Sequence, residues 1–509
     1  MSYKKISLSM FTVLSLTSLN AYEMKPMGFK ATGMGGAGVA SSRGSMATYY
    51  NPALLGMADY TSEISINAGI GIRENKLVDT VDQLNNLDLS NSIDIAKSIT
   101  SSSYAASSTD QQKALDSITQ SIDIINKIPV ANGLQVLPSV SVAGQFSRYF
   151  GIGVYGSADI RAKMVIDKNR LGIILKDDNT GNIIQYDTNT QTITTGISNT
   201  SYETLSLQYA LEGDPNVDGD SSTYLNVSSM IQTEVPVSFA YPIEKENGLL
   251  SLGISVKPMS VQTFSTDMKI DSDSNDIGDE YDKNKKTYSG YGVDLGVAYK
   301  EYNTGLILAL VGKNINSPSF KTTADGSGRV EEFKLDSFFR AGMSLPVWND
   351  NIEFAIDADL QQSDTSYEGM KSQYVGGGME FHPASWFALR VGAMKNIASE
   401  SIDEGMIYTA GLGFGLKWLQ FDLSAQASQK TGTYDGNEIP KYANVNFSLI
   451  SRWGDGYNRK PAPIEEIVPE VKQDDVINNG EPIKTLSPEE QNRIQQDSQK
   501  AQKELDQAL

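Results

Sequence analysis

The 509-residue chain has one histidine, His382, and no cysteine. Histidine is the side chain whose ordinary pKa suits proton transfer near neutrality. Here it falls in a short turn between two segments of strand pattern, a poor place for a nucleophile and its base to meet. Thiolate metal sites and disulfides are excluded. Asp214, Asn216, Asp218 and Asp220, with Gly219 among them, match the front half of a calcium loop, where alternate oxygens converge on the ion and the glycine permits the sharp turn. Leu225 stands where the closing bidentate glutamate belongs, so a weak calcium site and a solvated acidic turn both stay open. The acid-rich run 271–282 has Asp276 in the glycine position and reads as a solvated loop. Gly33, Gly35 and Gly38 satisfy the spacing of a dinucleotide-binding turn, but that motif needs a strand before it and a helix after it, and a cleavage site is expected upstream. Paired carboxylates such as Asp357 and Asp359, with Arg340, Arg390, Lys257 and Arg452, are ordinary lining for a barrel interior. We assign no catalytic residue and expect no enzyme.

The elements that would carry these residues are strands. Beyond Tyr60 the chain repeats segments in which apolar side chains alternate with small or polar ones, the pattern that sorts side chains onto two faces. Leu419, Phe421, Leu423 and Ala425 alternate with Gln420, Asp422, Ser424 and Gln426. Such segments fall near 61–72, 136–148, 151–166, 225–242, 248–265, 289–300, 303–313, 334–346, 350–362, 370–382, 385–396, 405–416, 417–429 and 441–453. That makes fourteen, joined alternately by short turns and long loops, as in an outer-membrane barrel. Trp348, Trp386, Trp418 and Trp453 all fall at the short-turn ends, as a membrane-boundary girdle does. The expected fold is an all-β, antiparallel transmembrane barrel over 61–453.

Lys4 and Lys5, an apolar run from Ile6 to Leu19 and a small residue at Ala21 describe a signal peptide over 1–21. Its removal takes two lysines and no acid, moving the formal charge from -20 to -22. So acidic a chain is not built for nucleic acid.

Residues 22–60 precede the first strand. Gly35, Gly36, Ala37 and Gly38 let the backbone run close to surrounding walls, and the segment closes on Tyr49, Tyr50 and a rigid Asn51–Pro52–Ala53 turn. This order resembles the FadL-like family of long-chain fatty acid outer-membrane transporters, and the helical insertion described next is similar to that of its conjugal transfer TraF-like branch. The resemblance implies a fourteen-stranded barrel with 22–60 as a hatch in its lumen, gated at Gly35, Gly36, Gly38, Tyr49, Tyr50, Asn51 and Pro52. It further implies passive passage of a hydrophobic small molecule. The alternative is a structural or conjugation-linked envelope protein that transports nothing.

Residues 77–128 carry Leu115, Ile118, Ile122 and Ile125 at helical spacing, an extracellular insertion. A second long extracellular loop spans 167–224. Pro236 and Pro258, in neighbouring segments, each remove a ladder donor, so a gap or bulge is expected there, either with intact walls or, in a sharper form, as a lateral portal toward lipid. Residues 454–509 form a proline-rich linker and a short helix from Ser487, able to touch a periplasmic partner; both termini are expected to be periplasmic.

Overall fold

The computed structural model describes residues 23–454 except 89–90, 93–94, 97–108, 167, 169–171, 177–182, 188–191, 196, 198–223, 269–280, 282, 322–331, 417 and 435. The proposed calcium residues Asp214, Asn216, Asp218 and Asp220, the run 271–282 apart from Tyr281, the signal peptide and the tail beyond 454 lie outside the described residues.

One antiparallel sheet closes on itself. Its staves are β1 (Ser62–Asn75), β2 (Gly133–Gln145), β3 (Phe150–Val165), β4 (Tyr224–Glu234 continued by Val237–Lys245), β5 (Gly248–Met268), β6 (Lys286–Glu301) and β7 (Ile307–Lys313). The second half is β8 (Phe338–Val347), β9 (Ile352–Asp359), β10 (Tyr374–Ala384), β11 (Phe387–Asn396), β12 (Met406–Leu416), β13 (Leu419–Ser428) and β14 (Tyr442–Trp453). Each pairs with its neighbour in the chain, and β14 returns to β1 in a ladder from Ser62 opposite Trp453 to Arg73 opposite Tyr442. All fourteen staves expected from alternation are therefore present.

The period-two pattern follows from two different solvents. Ile66, Ile254, Phe354, Leu423 and Phe447 point outward and stay exposed, while their sequence neighbours Asn67, Ser255, Asp422 and Ser448 are buried in the lumen. A continuous apolar exterior on a closed sheet makes this an outer-membrane barrel. Among the described residues no helix is long and apolar enough to cross a membrane. The four tryptophans are exposed at the short-turn end. In one of those turns Trp348, Asn349 and Asp350 all have positive φ, 52°, 53° and 63°. Asn and Asp tolerate that backbone, whereas Trp348 stacks on Phe381, centroids 6.1 Å apart. If lipid faces Leu423, near the middle of β13, then Leu423→Arg should cost about 2–4 kcal/mol in denaturant unfolding from lipid vesicles, and Leu423→Ile little.

Pro236 and Pro258 do not disturb the register. Glu234 pairs with Met259 and Val237 with Val256, so equal numbers of residues separate the pairs on both staves, and the β3–β4 pairs behave alike. The amide of Gly153 donates to the Pro236 carbonyl and that of Val235 to the Pro258 carbonyl, at 3.1 and 3.0 Å. The interruption is a gap and not a bulge: the stave breaks off between Glu234 and Val237, the neighbouring stave runs unbroken through Pro258, and the flanking bonds keep the register.

At the long-loop end, α3 (Leu77–Asn85) and α4 (Thr109–Lys127) pack with the second long loop. Leu115, Ile118 and Ile125, at helical spacing, share a core with Ile173, Ile184 and Tyr186.

Candidate functional site: the hatch and the lumen

The segment from Glu23 to Tyr60 fills the lumen. It contains α1 (Phe29–Gly33), α2 (Ala47–Tyr50) and a 3-10 turn, Pro52–Met57. Asn51 caps that turn: its Oδ1 accepts from the Ala53 amide at 3.0 Å, and Pro52 supplies a first residue that needs no donor. Its Nδ2 donates to the carbonyls of Val39, Val297 and Leu310 at 3.3, 3.5 and 3.4 Å, joining two hatch turns to β6 and β7. The Tyr50 hydroxyl bridges the Met27 amide and carbonyl, both at 2.8 Å. The Tyr50 ring lies where a Cβ on Gly38 would sit. Gly35 and Gly36 have φ of 64° and 80°, a backbone that favours glycine, and a Cβ on Gly35 would strike the carbonyl oxygens of Gly377 and Ala393.

The wall answers with glycines of its own, which sequence reasoning missed. A Cβ on Gly253 would strike the backbone of Pro52 and Ala53, and one on Gly296 would strike the Asn51 side chain. Gly376, Gly378 and Gly392 stand equally close to the backbone of Met34 and Gly35. The available signal was the run of glycines at inward positions, such as Gly292 and Gly296, where a strand interior loses stability by having them.

Polar anchors complete the seat. Asp357 Oδ2 accepts from the Gly38 and Val39 amides, each at 2.8 Å. The Thr409 hydroxyl accepts from the Gly35 amide and donates to the Gly33 carbonyl, each at 2.9 Å. Ser424 donates to the Phe29 carbonyl at 2.9 Å, Gln426 to that of Thr32 at 3.0 Å and Lys313 to that of Tyr49 at 2.6 Å. Glu63 accepts from the Ser45 amide and hydroxyl at 2.9 and 2.7 Å.

Many of the buried charges around the hatch are paired. Lys30 meets Glu353 at 2.8 Å and Glu380 at 3.1 Å; burial works to depress this ammonium, and the two carboxylates overturn it, leaving the pKa above its ordinary value. Lys257 bridges Glu234 and Asp294, at 3.0 and 3.1 Å, and Lys313 meets Asp294 at 2.7 Å. Arg390 holds Glu380 and Asp422, and Arg340 holds Asp359. His382 is half exposed, its Nε2 3.1 Å from Glu380. It belongs to this network.

Glu23 lies against Arg73, near the long-loop end of β1, at 3.1 Å, and Arg73 also holds Glu404 at 2.7 Å. Burial would raise the Glu23 carboxyl, and Arg73 holds it below the usual carboxylate range. The amino-terminal end of the described chain therefore lies in the lumen on the side away from the short turns, and the hatch descends from there to Tyr60.

Among the described residues, cavities of about 80, 20 and 280 Å³ remain. Asn51 lines none of these, and the 280 Å³ cavity, at the short-turn end, is lined by charged groups including Arg43, Glu63, Glu353 and Arg452. Among the described residues no group of three or more His, Cys, Asp or Glu is placed to hold a metal.

The Pseudomonas putida toluene transporter TodX is similar at 11% identity over 85% of this chain and 98% of its own, with a TM-score of 0.40. The Ralstonia pickettii toluene transporter TbuX is similar at 14% identity over 86% of this chain and 99% of its own, with a TM-score of 0.43. No match was found among curated proteins. The family described as "F plasmid transfer operon, TraF, protein" matches residues 48–360, from the last part of the hatch to the end of β9, and the chain belongs to that family.

Proposed function

We propose that the protein is a hatch-sealed outer-membrane barrel with a structural, conjugation-linked role in the envelope. Its short turns and tail face the periplasm, where the tail meets a partner, and its helical insertion faces the cell exterior. The observation that carries this reading is the seating of the hatch. The hatch-to-wall hydrogen bonds, at about 0.5–1.5 kcal/mol each, sum to on the order of 10 kcal/mol before apolar packing is counted. A plug so held is a part of the wall, and the paired charges around it offer no apolar path. The family's name supplies the conjugation link.

A second reading, a passive channel for hydrophobic small molecules gated at Asn51 and Pro52, draws on Pro236 and Pro258. They remove two ladder donors at one height of neighbouring staves, which suits a side exit to lipid. One experiment separates the two. Gly56 and Ser251 adjoin, the added Cβ lying 3.1 Å from that of Ser251, so Gly56→Cys with Ser251→Cys ties hatch to wall in a chain without other cysteine. Cells carrying the oxidised form should transfer plasmid, and accumulate a labelled aromatic hydrocarbon, as the reduced form does. Uptake that falls on oxidation and returns on reduction would make the protein a channel.

A further inference from the structure

The hatch is not held equally on all sides. Its polar anchors lie on β3, on β6 to β10, on β12 and β13 and at Glu63, Ser65 and Arg73 of β1, whereas the stretch of wall around Asn67 of β1 and Asn446 and Ser448 of β14 offers it oxygens that go unused. Asn67 stands opposite Ser448 in the β1–β14 ladder, and Asn446 opposite Gly69. All three side chains are buried, and Asn67 Oδ1, Asn446 Oδ1 and Ser448 Oγ have no hydrogen-bond partner. Buried oxygens of this kind are satisfied by water.

Two of the cavities lie at either end of this stretch. The 80 Å³ cavity on the long-loop side is lined by Ser139, Ser157, Gln232 and Asn444, and the 280 Å³ cavity opens at the short-turn end. Met27 lines both. Met46 lines the second and reaches the polar wall, its sulfur 3.5 Å from Asn67 Nδ2. Gly28, with φ 78°, makes room for it, since a Cβ there would lie 2.8 Å from the Met46 methyl.

We propose that small hydrophilic solutes cross the barrel between the hatch and the β14–β1–β2 wall, by a route that the side chains of Met27 and Met46 close. Methionine is unbranched, with three rotatable bonds, so it can change rotamer while the backbone stays seated. The solute class follows from the wall: unpaired oxygens stabilise water and hydroxylated molecules, and an apolar solute would leave them unsatisfied. The route rests on the reading that the hatch stays in place.

The test is osmotic swelling of phosphatidylcholine vesicles holding the full-length protein, with glycerol as the probe. Met27→Ala with Met46→Ala should swell several-fold faster than wild type, and Met27→Ala alone by less. Met259→Ala, a buried wall methionine lining neither cavity, should leave the rate unchanged. Adding Asn67→Leu should suppress the gain. Heat-modifiable migration of each variant on a gel establishes that its barrel is assembled, and the single variant serves where the double fails to assemble. No gain in any assembled Met27 variant, or an equal gain in Met259→Ala, overturns the route. Repeating the assay with the Gly56–Ser251 disulfide isolates the other premise: a gain that persists in the oxidised form supports a fixed hatch, and one abolished by oxidation means that the hatch moves.

Discussion

Replacing Gly253 by leucine should leave the barrel assembled and the hatch unseated. The new side chain would enter the space held by the backbone of Pro52 and Ala53, which cannot turn aside as a side chain can. Leu54 and Leu55, fully buried in the seated hatch, would be exposed, at about 1.5–3 kcal/mol each. Gly253 pairs through its backbone with Ala240 and Gly296, and those ladders are indifferent to the added side chain. Limited proteolysis in detergent should therefore cut between residues 33 and 58 in the variant and spare them in the wild type, with heat-modifiable migration retained by both. A variant hatch as resistant as the wild type would mean that the hatch does not press on β5.

The second large effect should come from Asp357. Alanine there leaves the Gly38 and Val39 amides buried without their acceptor, at about 1–3 kcal/mol for each group. Arg340 keeps Asp359, so the loss falls on the hatch. Asn, whose amide oxygen still accepts, should recover part of it. Urea unfolding from lipid vesicles, followed alongside proteolysis of the hatch, should rank wild type first, Asp357→Asn second and Asp357→Ala last. Equal hatch protection in all three would remove Asp357 from the seat.

Much of this was legible before any coordinates, and the reason differs by element. Leu423 and Asp422 face lipid and lumen, and two solvents on two faces write a period of two into any stave. Gly35 and Asn51 stood out because a close backbone approach and a capped turn demand particular residues. Their partners did not. Gly253 and Gly296 are merely weak strand residues until the hatch is placed beside them, and Asp357 is one inward carboxylate among several. Pro236 marks a gap between Glu234 and Val237 without a bulge, because the intact pairs on either side fix the register, which counting missing donors does not reveal.

The central claim is that the hatch is part of the wall, and amide hydrogen exchange in the wild-type protein tests it most directly. The Gly35, Gly38 and Val39 amides donate to Thr409 and Asp357 on the wall. In the membrane-embedded protein they should exchange as slowly as the ladder amides of β12 and β13. Exchange at the rate of the long-loop residues, with the barrel ladders still protected, would show a hatch that opens on its own and would contradict the account.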